Sequence, residues 1–138
     1  MGLDLGDRRI GVAISDPTGT LASPLETVQR RKGKRPPIAA LERIARANDV
    51  GAVVVGLPLT LEGEEDEWCA EVRRVGDALG ERLGVPVAYV DERMSSVQAE
   101  QAIRSSGGTK KRREDRSRVD AAAAAVILQR HLDRETAA

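Results

Sequence analysis

Three acidic positions could do chemistry in this 138-residue chain: Asp4, the pair Asp91-Glu92, and Asp120. Asp4 lies inside an apolar strand between Leu3 and Leu5. Strand alternation turns its carboxylate to the face opposite both leucines, where a charge needs a partner. Asp91 and Glu92 directly follow the apolar run Val87 to Val90, with Arg93 next. Alternation sends these two acids to opposite faces, so one of them joins any shared site, and spacing alone does not choose between them. Asp120 stands at the start of an alanine-rich helix, Val119 to Leu132, where a first-turn acid is favoured by free N–H groups and the helix dipole. The alanines that follow let this helix approach a sheet closely and bring Asp120 toward Asp4. Taken singly, each acid also has a purely structural role available, as a turn residue, a surface ion pair or a helix start.

Converging carboxylates are hard oxygen ligands, suited to Mg²⁺ or Mn²⁺. Such ions activate water and stabilise charge on the attacking and leaving oxygens of a phosphodiester. Two of them about 4 Å apart clamp an in-line displacement. Metal-dependent phosphodiester hydrolysis is one chemistry that such converging acids would suit.

The elements that would position these acids follow from periodicity. Leu3 to Leu5 and Arg9 to Ser15 form strands around a turn at Gly6-Asp7, and Leu25 to Gln29 supplies a third, antiparallel strand. Pro36-Pro37 opens a helix with Ile38, Leu41, Ile44 and Ala45 at helical spacing, ending near Asn48. Gly51 to Leu57 is a β-branched run of the kind buried on both faces of a parallel sheet. Trp68, Val72, Val75, Leu79 and Leu83 mark a long helix, and Val87 to Val90 a further strand. Ser95 and Gln98 form a capping box for a short helix ending near Ser105, and Gly107-Gly108 opens a polar basic loop before the final helix. The order β-β-β-α-β-α-β-α-α describes one α/β domain over residues 1–138. Its five-stranded mixed sheet has three antiparallel strands first, then α/β units, with helices on both faces. Gly56 and Pro58 end the fourth strand and border the site with Asp91 and Arg93.

Charge is balanced at 22 basic and 22 acidic residues, but its distribution is not even. Arg30-Arg31-Lys32-Gly33-Lys34-Arg35 and Lys110-Lys111-Arg112-Arg113, with Arg116 and Arg118 beyond, are local basic strips able to follow a phosphate backbone. Arg9, Lys110, Lys111, Arg112, Arg113 and Arg116 are the candidate nucleic-acid contacts. Trp68, Tyr89 and the absence of Phe argue against recognition by stacking bases on an aromatic platform. No apolar run approaches the roughly 20 residues that span a bilayer, so no membrane partner is expected. The single Cys69 and the absence of a secretory pattern at the start fit a reducing cytoplasm. Cys69 and His131 are expected to be packing or surface residues, and Asp7 and Asp16 turn residues or supporting acids. A monomer or a homodimer is compatible with the pattern.

In order, Gly2-Leu3-Asp4-Leu5-Gly6, Arg9-Ile10-Gly11-Val12-Ala13, Asp16, Val55-Gly56-Leu57-Pro58, Asp91-Glu92-Arg93-Met94-Ser95-Ser96 and Val119-Asp120-Ala121-Ala122-Ala123 resemble the YqgF family. These are also called RuvX-like Holliday junction resolvases, and the match spans nearly the whole chain. The resemblance implies an RNase H-like fold and selects Glu92 over Asp91, giving Asp4, Glu92 and Asp120 as catalytic and metal-binding acids. It implies structured RNA as substrate, in maturation of the 5′ end of pre-16S ribosomal RNA, with branched DNA as the alternative. Two departures stand out. Met94-Ser95-Ser96 replaces the more usual Leu-Thr-Thr, and Arg116, Ala123 and Ala124 stand where the better-known junction resolvases carry a second carboxylate one turn from Asp120. A nucleotide-binding actin-like or sugar-kinase reading would need a second, related domain. A nucleic-acid-binding assembly factor without catalysis would use the same basic strips.

Overall fold

The computed structural model describes residues 1–6, 8–30, 35–60, 62–91 and 109–137; in the last stretch, side chains are described for 120–135. Five strands, β1 (Gly2–Leu5), β2 (Arg9–Ser15), β3 (Ala22–Gln29), β4 (Val53–Leu57) and β5 (Val87–Asp91), form one mixed sheet in the order β3-β2-β1-β4-β5. β1, β2 and β3 are successively antiparallel, while β4 pairs parallel with β1 and β5 parallel with β4. Three helices, α1 (Ile38–Ala47), α2 (Glu67–Leu83) and α3 (Thr109–Ala137), complete the described structure. The expected α/β architecture is the one observed. The short helix expected from Ser95 lies outside the described residues.

The two faces of the sheet are packed differently. Leu3, Leu5, Ile10, Val12, Val53 and Val55 point to one side, where Leu41 and Ala45 of α1 and Cys69, Val72, Val75 and Leu79 of α2 cover them. On the other side Ala13, Val54 and Val90 meet Ala124, Ala125, Ile127 and Leu128 of α3. Large branched side chains fill the first layer; small residues dominate the second. A β-carbon on Gly2 would sit 2.8 Å from Leu128 Cβ and 2.9 Å from the Ala124 carbonyl oxygen. On Gly11 it would lie 1.9 Å from the carbonyl oxygen of Asp120. Glycine inside a strand marks such a close backbone approach, so the α3 backbone nearly rests on the sheet.

Local chemistry ends the elements cleanly. Asp66 caps α2, its carboxylate accepting the Cys69 N–H at 3.0 Å. Gly84 closes that helix in the left-handed conformation at φ 68°, its N–H donating to the Gly80 carbonyl. Asp16 is a turn residue: it accepts from the Thr18 hydroxyl and from the N–H groups of Thr20 and Leu21. Those hydrogen bonds, the Thr18 hydroxyl foremost, hold its carboxyl below the usual range. Gln129 fastens the far end of the same hairpin to α3, accepting from Ala22 N–H at 2.8 Å and donating to the Thr20 carbonyl at 2.9 Å.

Two expectations are corrected. The third strand begins at Ala22, earlier than Leu25. More consequentially, α3 begins at Thr109, so Lys110 to Arg113 occupy its opening turns and not a loop. Asp120 is therefore an interior helical residue with no claim to the helix-start role.

The Gly11 contact predicts its own test. Gly11→Ala drives a methyl into helix backbone that no rotamer change can relieve, and should destabilise the fold by about 3 kcal/mol. Gly51, whose β-carbon would meet nothing within 4 Å, is the control: Gly51→Ala should shift urea stability by less than about 1 kcal/mol.

Candidate active site

The chain runs from β1 outward through β2 and β3 on one side, and through β4 and β5 on the other. β1 thus stands at the topological switch of the sheet, and the C-terminal ends of β1, β4 and β5 share one rim, where open α/β sheets bind ligands. Asp4 lies near that end of β1, half-buried, in register opposite Gly11 of β2. It shares its face with Gly2, both looking toward α3. The Asp120 backbone rests on Gly11, so the contact that admits α3 also brings the Asp120 segment over the strand pair that carries Asp4. The alanine run and strand alternation pointed this way; the two glycines opposite it were the signal left unused.

Arg9 completes this arrangement. Its Nε donates to Asp120 Oδ2 at 2.6 Å, across 111 positions of sequence, with the two side chains 32% and 25% exposed. Sequence reasoning assigned Arg9 to nucleic acid, and the structure shows it holding one of the expected site acids. Parity along β2 puts Arg9 on the same face as Gly11, diagonal to Asp4 across the β1–β2 pair, a spacing that long side chains reach across.

Asp91 follows a different course. It pairs in register with the buried Leu57, and by alternation it shares the α1/α2 face with Val87 and Tyr89, opposite to Asp4. Arg130 of α3 donates to the Asp91 carbonyl at 3.1 Å and ties the end of β5 to the helix. Gly56 is buried in β4, and the Pro58 carbonyl accepts the Cys69 thiol at 3.2 Å. Burial pushes the Cys69 thiol up, consistent with a packing residue. His131 meets Glu135 at 3.3 Å on α3. Glu92, Arg93 and Asp7 lie outside the described residues, as do the side chains of Lys110 to Arg116. Among the described residues no three His, Cys, Asp or Glu side chains form a metal cluster; what they present is Asp4 and Asp120 on one face.

The first basic strip is corrected at Arg30. Its side chain is 8% exposed and pairs with Glu71 at 3.0 Å. The guanidinium lies 5.5 Å from the Trp68 ring centroid, and its Nη1 donates to the Gly6 carbonyl at 3.4 Å. Arg30 N–H also bonds the Arg8 carbonyl at 2.8 Å. This arginine braces the turn after Asp4 against α2 and is not a phosphate contact. Residues 31–34 lie outside the described residues, and Arg35 is exposed.

Comparison with known proteins places the family and the fold. A family model described as "RuvX: Holliday junction resolvase" matches residues 1–134. A protein of Nocardioides sp. named "Putative pre-16S rRNA nuclease" is 50% identical over 143 residues, covering 99% of this chain and 88% of its own length. One of the same name from Chloroflexus aggregans is 44% identical over 133 residues, covering 96% of this chain and 92% of its own. Among solved structures, Thermus thermophilus RuvC superposes with a TM-score of 0.56 at 17% identity, over 99% of this chain and 95% of that one. The same organism's RuvC in complex with a Holliday junction substrate gives 0.57 at 16%, over 98% and 93%. These likenesses bear out the RNase H-like fold. No described helix is long and apolar enough to cross a membrane.

Arg30→Gln separates bracing from phosphate binding. It should cost about 1–3 kcal/mol of stability through the lost charged hydrogen bonds, while the salt dependence of nucleic-acid binding stays as in the wild type. With its fold and acidic rim placed beside these relatives, the chain belongs to the RuvX family of nucleases.

Proposed function

We propose that this protein is a divalent-metal-dependent nuclease that matures the 5′ end of pre-16S ribosomal RNA, with Asp4, Glu92 and Asp120 as its catalytic acids. The observation that carries the reading is the pairing of Asp4 with Gly11 and of Gly11 with the Asp120 backbone, which sets two carboxylates on one face at the rim where such sheets bind ligands. Their donor chemistry fits a hard cation, since both offer only carboxylate oxygens. The Arg9 guanidinium on Asp120 offsets the repulsion expected between neighbouring carboxylates. Asp4, Glu92 and Asp120 would hold Mg²⁺ or Mn²⁺. When bound, the ions would supply an activated water and charge stabilisation at the scissile phosphate, in a two-metal arrangement.

The chain's own residues orient this site. Arg30 and the Gly6–Arg9 hydrogen bond at 2.8 Å hold the turn beyond Asp4. Arg130 fastens the strand end that leads to Glu92. Lys110, Lys111, Arg112 and Arg113 fall in the opening turns of a 29-residue helix, so their charge adds to the positive end of its dipole. With Arg116, that end would receive the phosphate backbone of a structured RNA. The names of the relatives favour RNA, as does Ala at 123 and 124, both buried against the sheet where no second carboxylate stands. The description of the family model favours branched DNA as the second substrate.

Asp4→Asn and Asp120→Asn should each lower cleavage of a pre-16S fragment in Mn²⁺ by more than about 100-fold, a typical loss for a group acting on the transition state, with the far-ultraviolet circular dichroism unchanged. Cleavage equal to wild type would remove the nuclease assignment. Replacing Lys110, Lys111, Arg112 and Arg113 by Gln should weaken RNA binding and reduce the slope of log K against log salt by about 3, roughly 0.7 to 0.9 per phosphate contact. An unchanged slope would exclude this helix end from the interface.

A further inference from the structure

The ion pair between Arg9 and Asp120 has a consequence for loading and substrate capture. It is made by one short hydrogen bond, Nε to Oδ2 at 2.6 Å, between side chains that are a third and a quarter exposed. A partly exposed pair held by one hydrogen bond is screened by solvent and can be exchanged. Arg9 is also tethered beside the site: its strand position shares the face of Gly11, diagonal to Asp4. A guanidinium and a divalent ion would therefore compete for one carboxylate oxygen, and the loser would stay beside the reacting centre.

We propose that Arg9 is the resident counter-cation of Asp120, that a divalent metal displaces it from Oδ2, and that the displaced guanidinium then binds the phosphate of the substrate. This rests on the metal-dependent reading above and adds an exchange to it. In the metal-free protein Arg9 offsets carboxylate repulsion and keeps the acids oriented. On loading, the metal assumes that task, and a planar donor fork suited to phosphate becomes available beside it. Because competition is reciprocal, metal affinity and Arg9 availability change together.

The test is Mn²⁺ binding by the metal-free protein, followed by electron paramagnetic resonance of the free ion, in wild type, Arg9→Gln and Arg9→Lys. Removing the competitor should tighten Mn²⁺ binding about two- to tenfold in Arg9→Gln, in line with the strength of such a pair. Arg9→Lys, which keeps the charge, should stay nearer wild type and guards against a folding defect in the neutral variant. Thermal melting should show Arg9→Gln less stable than wild type without metal, the gap closing as Mn²⁺ is added. At saturating Mn²⁺, KM for a structured RNA should rise several-fold in Arg9→Gln with a smaller change in kcat. Equal or weaker Mn²⁺ binding by Arg9→Gln overturns the competition, and an unchanged KM overturns the transfer to phosphate. A folded wild type that binds no Mn²⁺ overturns the metal site itself, so the two failures are told apart.

Discussion

Among the glycines of the described residues the tightest seat is that of Gly11 of β2 under the α3 backbone at Asp120, and it sets where the two acids lie. Gly11 faces Asp4 across the β1–β2 ladder, so the same contact that seats the helix fixes the relation of the helical acid to the strand acid. Any side chain at position 11 would lift α3 and separate them. Gly2 and the alanines at 123 and 124 continue the seam, which leaves the helix little freedom to rise or slide without losing contact along its length.

Gathering carboxylates on a shared face is costly in itself, because like charges and partial burial both oppose ionisation. The fold meets that cost with geometry supplied from elsewhere. Arg9 stands against Asp120, Arg30 and α2 stiffen the turn after Asp4, and Arg130 secures the end of β5. The arginines beside Asp120 and beside the turn after Asp4 thus serve as counter-charge and brace.

Much of this was legible from residue order. Alternation placed Asp4 on the face away from Leu3 and Leu5, and the two-sided apolar run at Val53 to Leu57 announced a central parallel strand. The family motifs imply the RNase H-like fold by themselves. Other features were hidden for physical reasons. The start of α3 was missed because residues 109–118 carry no apolar periodicity, and cations at a helix N-terminus run against the dipole rule that usually marks one; the propensity of Lys, Arg and Glu sustains it instead. Arg30 looked like part of a solvated strip because its partners, Glu71 and Trp68, are far away in sequence. The ion pair of Arg9 with Asp120 is hidden because nothing local announces a contact 111 positions distant. Glu92 rests on resemblance, outside the described residues.

That distance also bears on synthesis. Strands β1, β2 and β3 close through neighbouring hairpins and can form as soon as they emerge, but the seam on Gly2 and Gly11 awaits residues 120–128. Contacts of such separation carry the largest loop-closure entropy and come late in folding. A nascent chain lacking α3 would present Asp4 with neither Asp120 nor the bond that holds Arg9. The juxtaposition of Asp4, Asp120 and Arg9 therefore arrives in a single late event, and a ribosome-bound fragment of this protein would lack it.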